Sequence, residues 1–226
     1  MLKKLYPYRF ELFFVTQLSI LFGTLIIPVL IFEEQISPVF FIANLAAGLV
    51  MIQNKKVLFR IAIFLLSISS LIVILNMTNI LDKGSLAFLR MGVLFLFYLI
   101  VSYEIIFQVW YSKKITRDVI FGLISGYLSL GLIGFFICLS IEMNVSGSFQ
   151  GSLISAAHPE LLSSELMYYS YVTLLTIGYG DILPMTPTAQ KAAVLIGLIG
   201  QFYLVIITSI VVGKYISQQS NSKSAE

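Results

Sequence analysis

The chain has little of what a soluble enzyme works with. Only 11% of its 226 residues are charged, and it holds one cysteine (Cys138), one histidine (His158) and one tryptophan (Trp110). A single cysteine excludes a disulfide framework. One histidine and one cysteine leave no cluster with metal-ligand spacing, and no nucleophile with a base in reach is visible. A net charge of +3 calls for no nucleic-acid partner. What the chain does have is apolar surface: 58% of it is hydrophobic, which fits a polytopic membrane protein and not a soluble domain. Cys138 lies inside an apolar run and reads as a small buried hydrophobe. No cofactor is expected.

Six spanning helices are expected, at about 11–32, 37–54, 57–79, 86–111, 119–141 and 189–217, the second being the shortest. The first is long for a signal-peptide core and reads as a retained membrane helix. The connections give an independent check. Lys3, Lys4 and Arg9, then Lys55, Lys56 and Arg60, then Lys113, Lys114 and Arg117, then Lys214 and Lys223 all fall on one side. Glu33, Glu34, Asp82, Glu142, Glu160, Glu165 and Asp181 fall on the other. The positive-inside rule then places both termini in the cytoplasm of a cell whose plasma membrane the chain crosses. Tyr6, Tyr8, Trp110, Tyr111 and Tyr215 fall near the cytoplasmic helix ends, where aromatic rings suit the interface.

Thr173 to Asp181 reads Thr-Leu-Leu-Thr-Ile-Gly-Tyr-Gly-Asp. Gly178 and Gly180 alternate with Ile177 and Tyr179, and glycine reaches backbone angles closed to other residues. That freedom lets successive carbonyls turn to one side. Four such strands around an axis would stack rings of oxygens, closed below by Thr176 hydroxyls, that can replace the water shell of a potassium ion. A helix too short to span, Glu165 to Leu175, precedes the run, with Ser163 or Ser164 as its expected cap and Glu165 at the positive end of its dipole. After the run, Asp181 to Pro184 turns the chain into the last long helix.

This run, in this setting, resembles the signature of the tetrameric potassium channels, with Ile177 where valine is commoner. The resemblance covers about Val119 to Ser217. It implies an all-α membrane protein: a four-helix peripheral domain (1–111), a cytoplasmic linker (112–118), a pore domain of helix, pore helix, filter and helix (119–217) and a short polar tail (218–226). One filter per chain implies a homotetramer in the lipid bilayer. Potassium ions would bind at Thr176, Ile177, Gly178 and Tyr179, with Gly180 completing the filter. Tyr168 and Tyr169 stand at the family's aromatic pair and, with Thr173 and Asp181, would brace it; the Tyr169 hydroxyl could hold Asp181. Val172 stands where some members have a glutamate, so that brace is missing. Gly200 falls on the family's inner-helix hinge, with Gly197 one turn earlier; small-residue packing is the other reading of both.

Helical period puts Leu204, Thr208 and Val212 on one stripe below Gly200, with Gln201 beside it. The stripe is expected to face a water-filled cavity, or else to pack on the first pore helix. Val211, Val212 and Tyr215 lie lower and could form a hydrophobic gate. The peripheral domain resembles a voltage sensor but is charge-poor. Its fourth helix holds Arg90, expected to reach the outer headgroups, and Glu104. Moving one charge through 100 mV is worth about 2.3 kcal/mol, and sensors use three or four per subunit, so weak or no voltage dependence is expected. The second and third helices lack acidic partners for a sensor. With about nine polar residues, Gln218 to Glu226, after the last helix, no cytoplasmic ligand-binding domain is expected there. Glu104 could bond Gln108, Lys113 or Lys114, or could couple the outer helices to the pore. His158, in the outer loop, could sense external protons or be merely solvated. Poorly selective cation channels, membrane enzymes or carriers with an accidental motif, and non-conducting accessory subunits are the rival readings. An intact Tyr179 and Gly180 disfavour the first of these.

Overall fold

The computed structural model describes residues 2–78, 83–112, 115–151 and 161–223. Eight helices form the body: α1 (Arg9–Phe22), α2 (Ser37–Ile52), α3 (Lys56–Thr78), α4 (Lys83–Tyr111), α5 (Arg117–Asn144), α6 (Leu162–Leu174), α7 (Pro187–Phe202) and α8 (Thr208–Lys223). Two short strands, β1 (Phe149–Gly151) and β2 (Ile182–Pro184), pair antiparallel, with Gly151 opposite Ile182. Among the described residues, four helical runs are long and apolar enough to cross a membrane: Lys56–Leu75, Leu86–Tyr111, Arg117–Asn144 and Pro187–Gln218. α2 is apolar but shorter.

The first two expected spans need correction. The first ends at Phe22 and not near residue 32; a 3-10 turn, Gly23–Leu25, and Pro28 follow it. Proline cannot continue a helix but can start one, and helical geometry resumes at Val29. A π-turn, Phe32–Ile36, then leads into α2. The crossing is tight, since a Cβ on Gly23 would stand 2.0 Å from the Phe32 ring. Glu33 therefore belongs to the head of the second helix and not to the end of the first.

α5 is the central element, packed against α1, α4, the short α6 and α7. Its small residues make this possible. A Cβ on Gly131 would meet the Tyr171 ring at 2.2 Å, and one on Gly134 would meet Ser170 Oγ at 2.4 Å. Polar pairs inside the apolar core fix the outer helices. Asn44 Nδ2 donates to Thr16 Oγ1 at 2.7 Å, and the Tyr98 hydroxyl donates to Asn44 Oδ1 at 2.6 Å. Gln17 Nε2 donates to Ser129 Oγ at 2.8 Å, tying α1 to α5. A buried polar group left unpaired is costly, so such pairs select one packing arrangement.

Candidate functional site

α6 is the short helix anticipated before the Thr-Ile-Gly-Tyr-Gly run, but it starts earlier than expected. Leu161 is its N-cap and makes no side-chain cap; Ser163, Ser164 and Glu165 lie within the first turn. Three hydroxyls anchor α6 to α5. Ser170 Oγ donates to Gly131 O at 2.8 Å, the Tyr171 hydroxyl to Leu128 O at 2.6 Å, and the Tyr127 hydroxyl to Leu174 O at 3.1 Å. The last bond satisfies a carbonyl that every helix C-terminus leaves open. Thr176 N donates to Thr173 O, and Ile177 N to Val172 O, so the chain leaves α6 through a tight turn.

Beyond that turn the backbone alternates. Thr176, Gly178 and Gly180 have φ of 57°, 59° and 79°, while Ile177 and Tyr179 do not share the positive sign. Glycine takes this conformation freely; a β-branched threonine there is a genuine outlier, of the strained kind that gathers at functional sites. The glycine pair announced the pattern in the sequence, but its start at Thr176 was not foreseen. The whole run 175–180 is exposed in the single chain, and Tyr179 is 70% exposed.

The aromatic pair divides its work differently from the expectation. Tyr168, not Tyr169, holds Asp181: its hydroxyl donates to Asp181 Oδ2 at 2.5 Å, while Asp181 Oδ1 accepts from Ile182 N at 3.0 Å. Neighbouring positions in the middle of a helix are turned about 100° from one another, which decides which ring faces the exit. The bond to Asp181, then burial, pushes the Tyr168 phenol up to about 12. Tyr169 turns inward, bonded to Thr173 and set edge-on against Phe149 at 5.1 Å. Val172 is buried.

Phe149 belongs to an outer ribbon that sequence reasoning missed. Glu142 at the end of α5 accepts from Gly147 N at 2.6 Å and Phe149 N at 2.9 Å. β1 then pairs with β2, directly after Asp181. An aromatic residue between Gly147 and Gly151 was the available signal. Thr186 was also missed: its Oγ1 accepts from Ala189 N at 3.3 Å, and Pro187 starts α7, a cap legible as Thr-Pro before an apolar run. His158 lies outside the described residues.

In α7, Gly200 closely approaches the end of α6. A Cβ there would stand 2.3 Å from Leu174 O, whereas one on Gly197 would meet nothing within 4 Å. Three residues beyond, a π-turn, Tyr203–Ile207, interrupts the helix. Gln201 Nε2 reaches Thr176 Oγ1 at 3.4 Å. Leu204, Thr208, Val212 and Tyr215 are exposed in the single chain, so this stripe does not pack on α5. Tyr203 does, its hydroxyl donating to Leu123 O at 2.7 Å, and Ile207 is buried. Val211, grouped with the gate from sequence, is partly buried against the core and lies apart from that stripe. α8 runs to Lys223, so the expected tail is helical at its start.

Two charged residues also sit differently from their expected places. Arg90 is partly buried and lines a cavity of about 290 Å3 that Glu33 also lines, and the two interact electrostatically. It does not simply reach the headgroups, and the second helix does carry an acidic partner for it. Glu104 accepts from Gln108 Nε2 at 3.0 Å, one of the alternatives open from sequence. Lys113 and Lys114 lie outside the described residues.

Residues 122–217 match the family described as Ion channel. The match runs from α5 to the last helix and leaves residues 1–121 outside it. Two pore potassium channel c of Oryza sativa subsp. japonica is 35% identical over 71 residues, which are 31% of this chain and 16% of that protein. Two-pore potassium channel 5 of Arabidopsis thaliana is 36% identical over 110 residues, 49% of this chain and 24% of its own length. The chain thus spans less than a quarter of the length of either relative. No solved structure gives a significant match.

Proposed function

We propose that the protein is a potassium-selective channel in which four copies of the ion-channel domain surround one pore. The observation that carries this reading is the alternation of left-handed backbone at Thr176, Gly178 and Gly180, directly after a helix too short to span. Such alternation turns the intervening carbonyls to one side, which a ring of dehydrating oxygens requires. The negative end of α6 faces the same point, where a cation gains most from it. Residues 1–111 form the peripheral domain, 112–118 the linker and 119–217 the pore. Both termini are cytoplasmic in the plasma membrane.

Leu204, Thr208, Val212 and Tyr215 line the water-filled cavity and its lower constriction, and Gln201 holds Thr176 from below. Voltage dependence is weak, because beyond its first residue, Lys83, α4 carries one basic residue, Arg90. The test is the reversal potential of the purified protein in planar bilayers with potassium on one side and sodium on the other. A potential near the potassium limit supports the reading; one near zero replaces it with a non-selective cation pore.

A further inference from the structure

A cavity of about 460 Å3 opens at the basic end of the bundle, between the N-terminal segment, the loop after α2, the end of α4 and the start of α5. Neither the Thr-Ile-Gly-Tyr-Gly run nor the last helix lines it. At its inner wall is Glu104, only 3% exposed. Its Oε1 is used by Gln108, but its Oε2 has no partner. A buried carboxyl oxygen without a partner costs stability, and Glu104 lines a space large enough to receive one. At the outer wall are two cations. Lys55 is exposed, its ammonium 4.7 Å from the Phe107 ring centre. The Arg9 guanidinium lies 4.3 Å over Tyr6 and reaches Gln108 Oε1 through Nε at 3.3 Å. Asp118 also lines the space, which disfavours a highly charged anion.

The arrangement selects a ligand with two unlike ends. The inner end meets a carboxyl oxygen. A hydroxyl, both donor and acceptor, satisfies that oxygen in either protonation state. The outer end meets a guanidinium and an ammonium, which favour phosphate. We infer that this cavity binds a small organic phosphate with a free hydroxyl, the hydroxyl on Glu104 and the phosphate between Arg9 and Lys55. A soluble sugar or glycerol phosphate and a phosphatidylglycerol headgroup share this chemistry.

Binding is read here without ion flux, so its failure is separable from failure of the channel reading. The full chain in nanodiscs of neutral lipid is titrated with glycerol 3-phosphate, AMP and inorganic phosphate, following the melting temperature. A parallel series replaces neutral lipid with phosphatidylglycerol. Glycerol 3-phosphate or AMP should raise the melting temperature saturably. Glu104→Met should weaken that affinity about tenfold, the worth of one hydrogen bond to a charged group, and leave inorganic phosphate unaffected. Lys55→Met, at an exposed position, should weaken both and serves if Glu104→Met fails to fold. A response to phosphatidylglycerol alone, lost in the same variants, assigns the site to the headgroup. No saturable response in any series overturns the inference, as does organic-phosphate binding indifferent to both variants.

Discussion

The Tyr168 hydroxyl donates to Asp181 Oδ2 at 2.5 Å and so ties the middle of the short helix to the outer end of the Thr-Ile-Gly-Tyr-Gly run. Loss of this bond in Tyr168→Phe should quicken inactivation of the current severalfold. A raised phenol pKa means the bond is complete below the ordinary tyrosine value of about 10. It is lost as pH climbs through about 12. Wild-type inactivation should therefore quicken in that alkaline window. Tyr168→Phe should be fast at neutral pH and show no alkaline step; an unchanged step in the variant would assign it to another group.

Gly200 and Gly197 separate packing from hinging. Gly200→Ala puts a methyl group against Leu174 O and should cost about 1–3 kcal/mol by overpacking, seen as a lower melting temperature. Gly197→Ala meets nothing in its own chain and should melt as the wild type does. If Gly197→Ala instead alters opening while Gly200→Ala is silent, the hinge reading replaces the packing one.

The left-handed positions should not tolerate side chains equally. Gly178→Ala places a Cβ where φ is 59°, at about 1–2 kcal/mol for each residue. Potassium selectivity should fall sharply even if the protein still assembles. Thr176→Gly removes strain but also the hydroxyl that Gln201 reaches. It should keep the fold and shift conductance, measured as single-channel current.

Lys214 links the lower end of the last helix to the end of α4. Its ammonium donates to Ser112 O at 3.0 Å and to Trp110 O, carbonyls a helix end leaves open. Gln218 Oε1 accepts from Ile115 N at 3.0 Å beside it. Lys214→Met should lower stability by about 1–3 kcal/mol and raise the open fraction, since both ends are freed together. Normal opening in this variant would show that α4 does not restrain the pore.

Legibility in the sequence followed how local the cause was. Gly178 and Gly180 announce their own backbone, and Glu165 to Leu175 is visibly too short to span, so the site could be placed. α3, α4 and α5 follow from unbroken apolar runs. The end of the first span was misplaced because residues 23–31 are apolar throughout, while the break depends on Pro28 and on a ring, Phe32, arriving over Gly23. Tyr168 and Tyr169 could not be told apart without the rotation of α6. Val211 looked like its neighbour Val212 until the core covered one of the two. β1 was hidden because its pairing partner lies beyond the filter run, and Glu142 acts on amides five and seven residues away.

The most direct test of the channel reading is ion flux through purified protein in liposomes, under a potassium gradient and then a sodium gradient, with and without barium. The account gives potassium flux that barium blocks, little sodium flux, and loss of both block and selectivity in Gly178→Ala. Equal potassium and sodium flux, or flux that Gly178→Ala leaves unchanged, would contradict it.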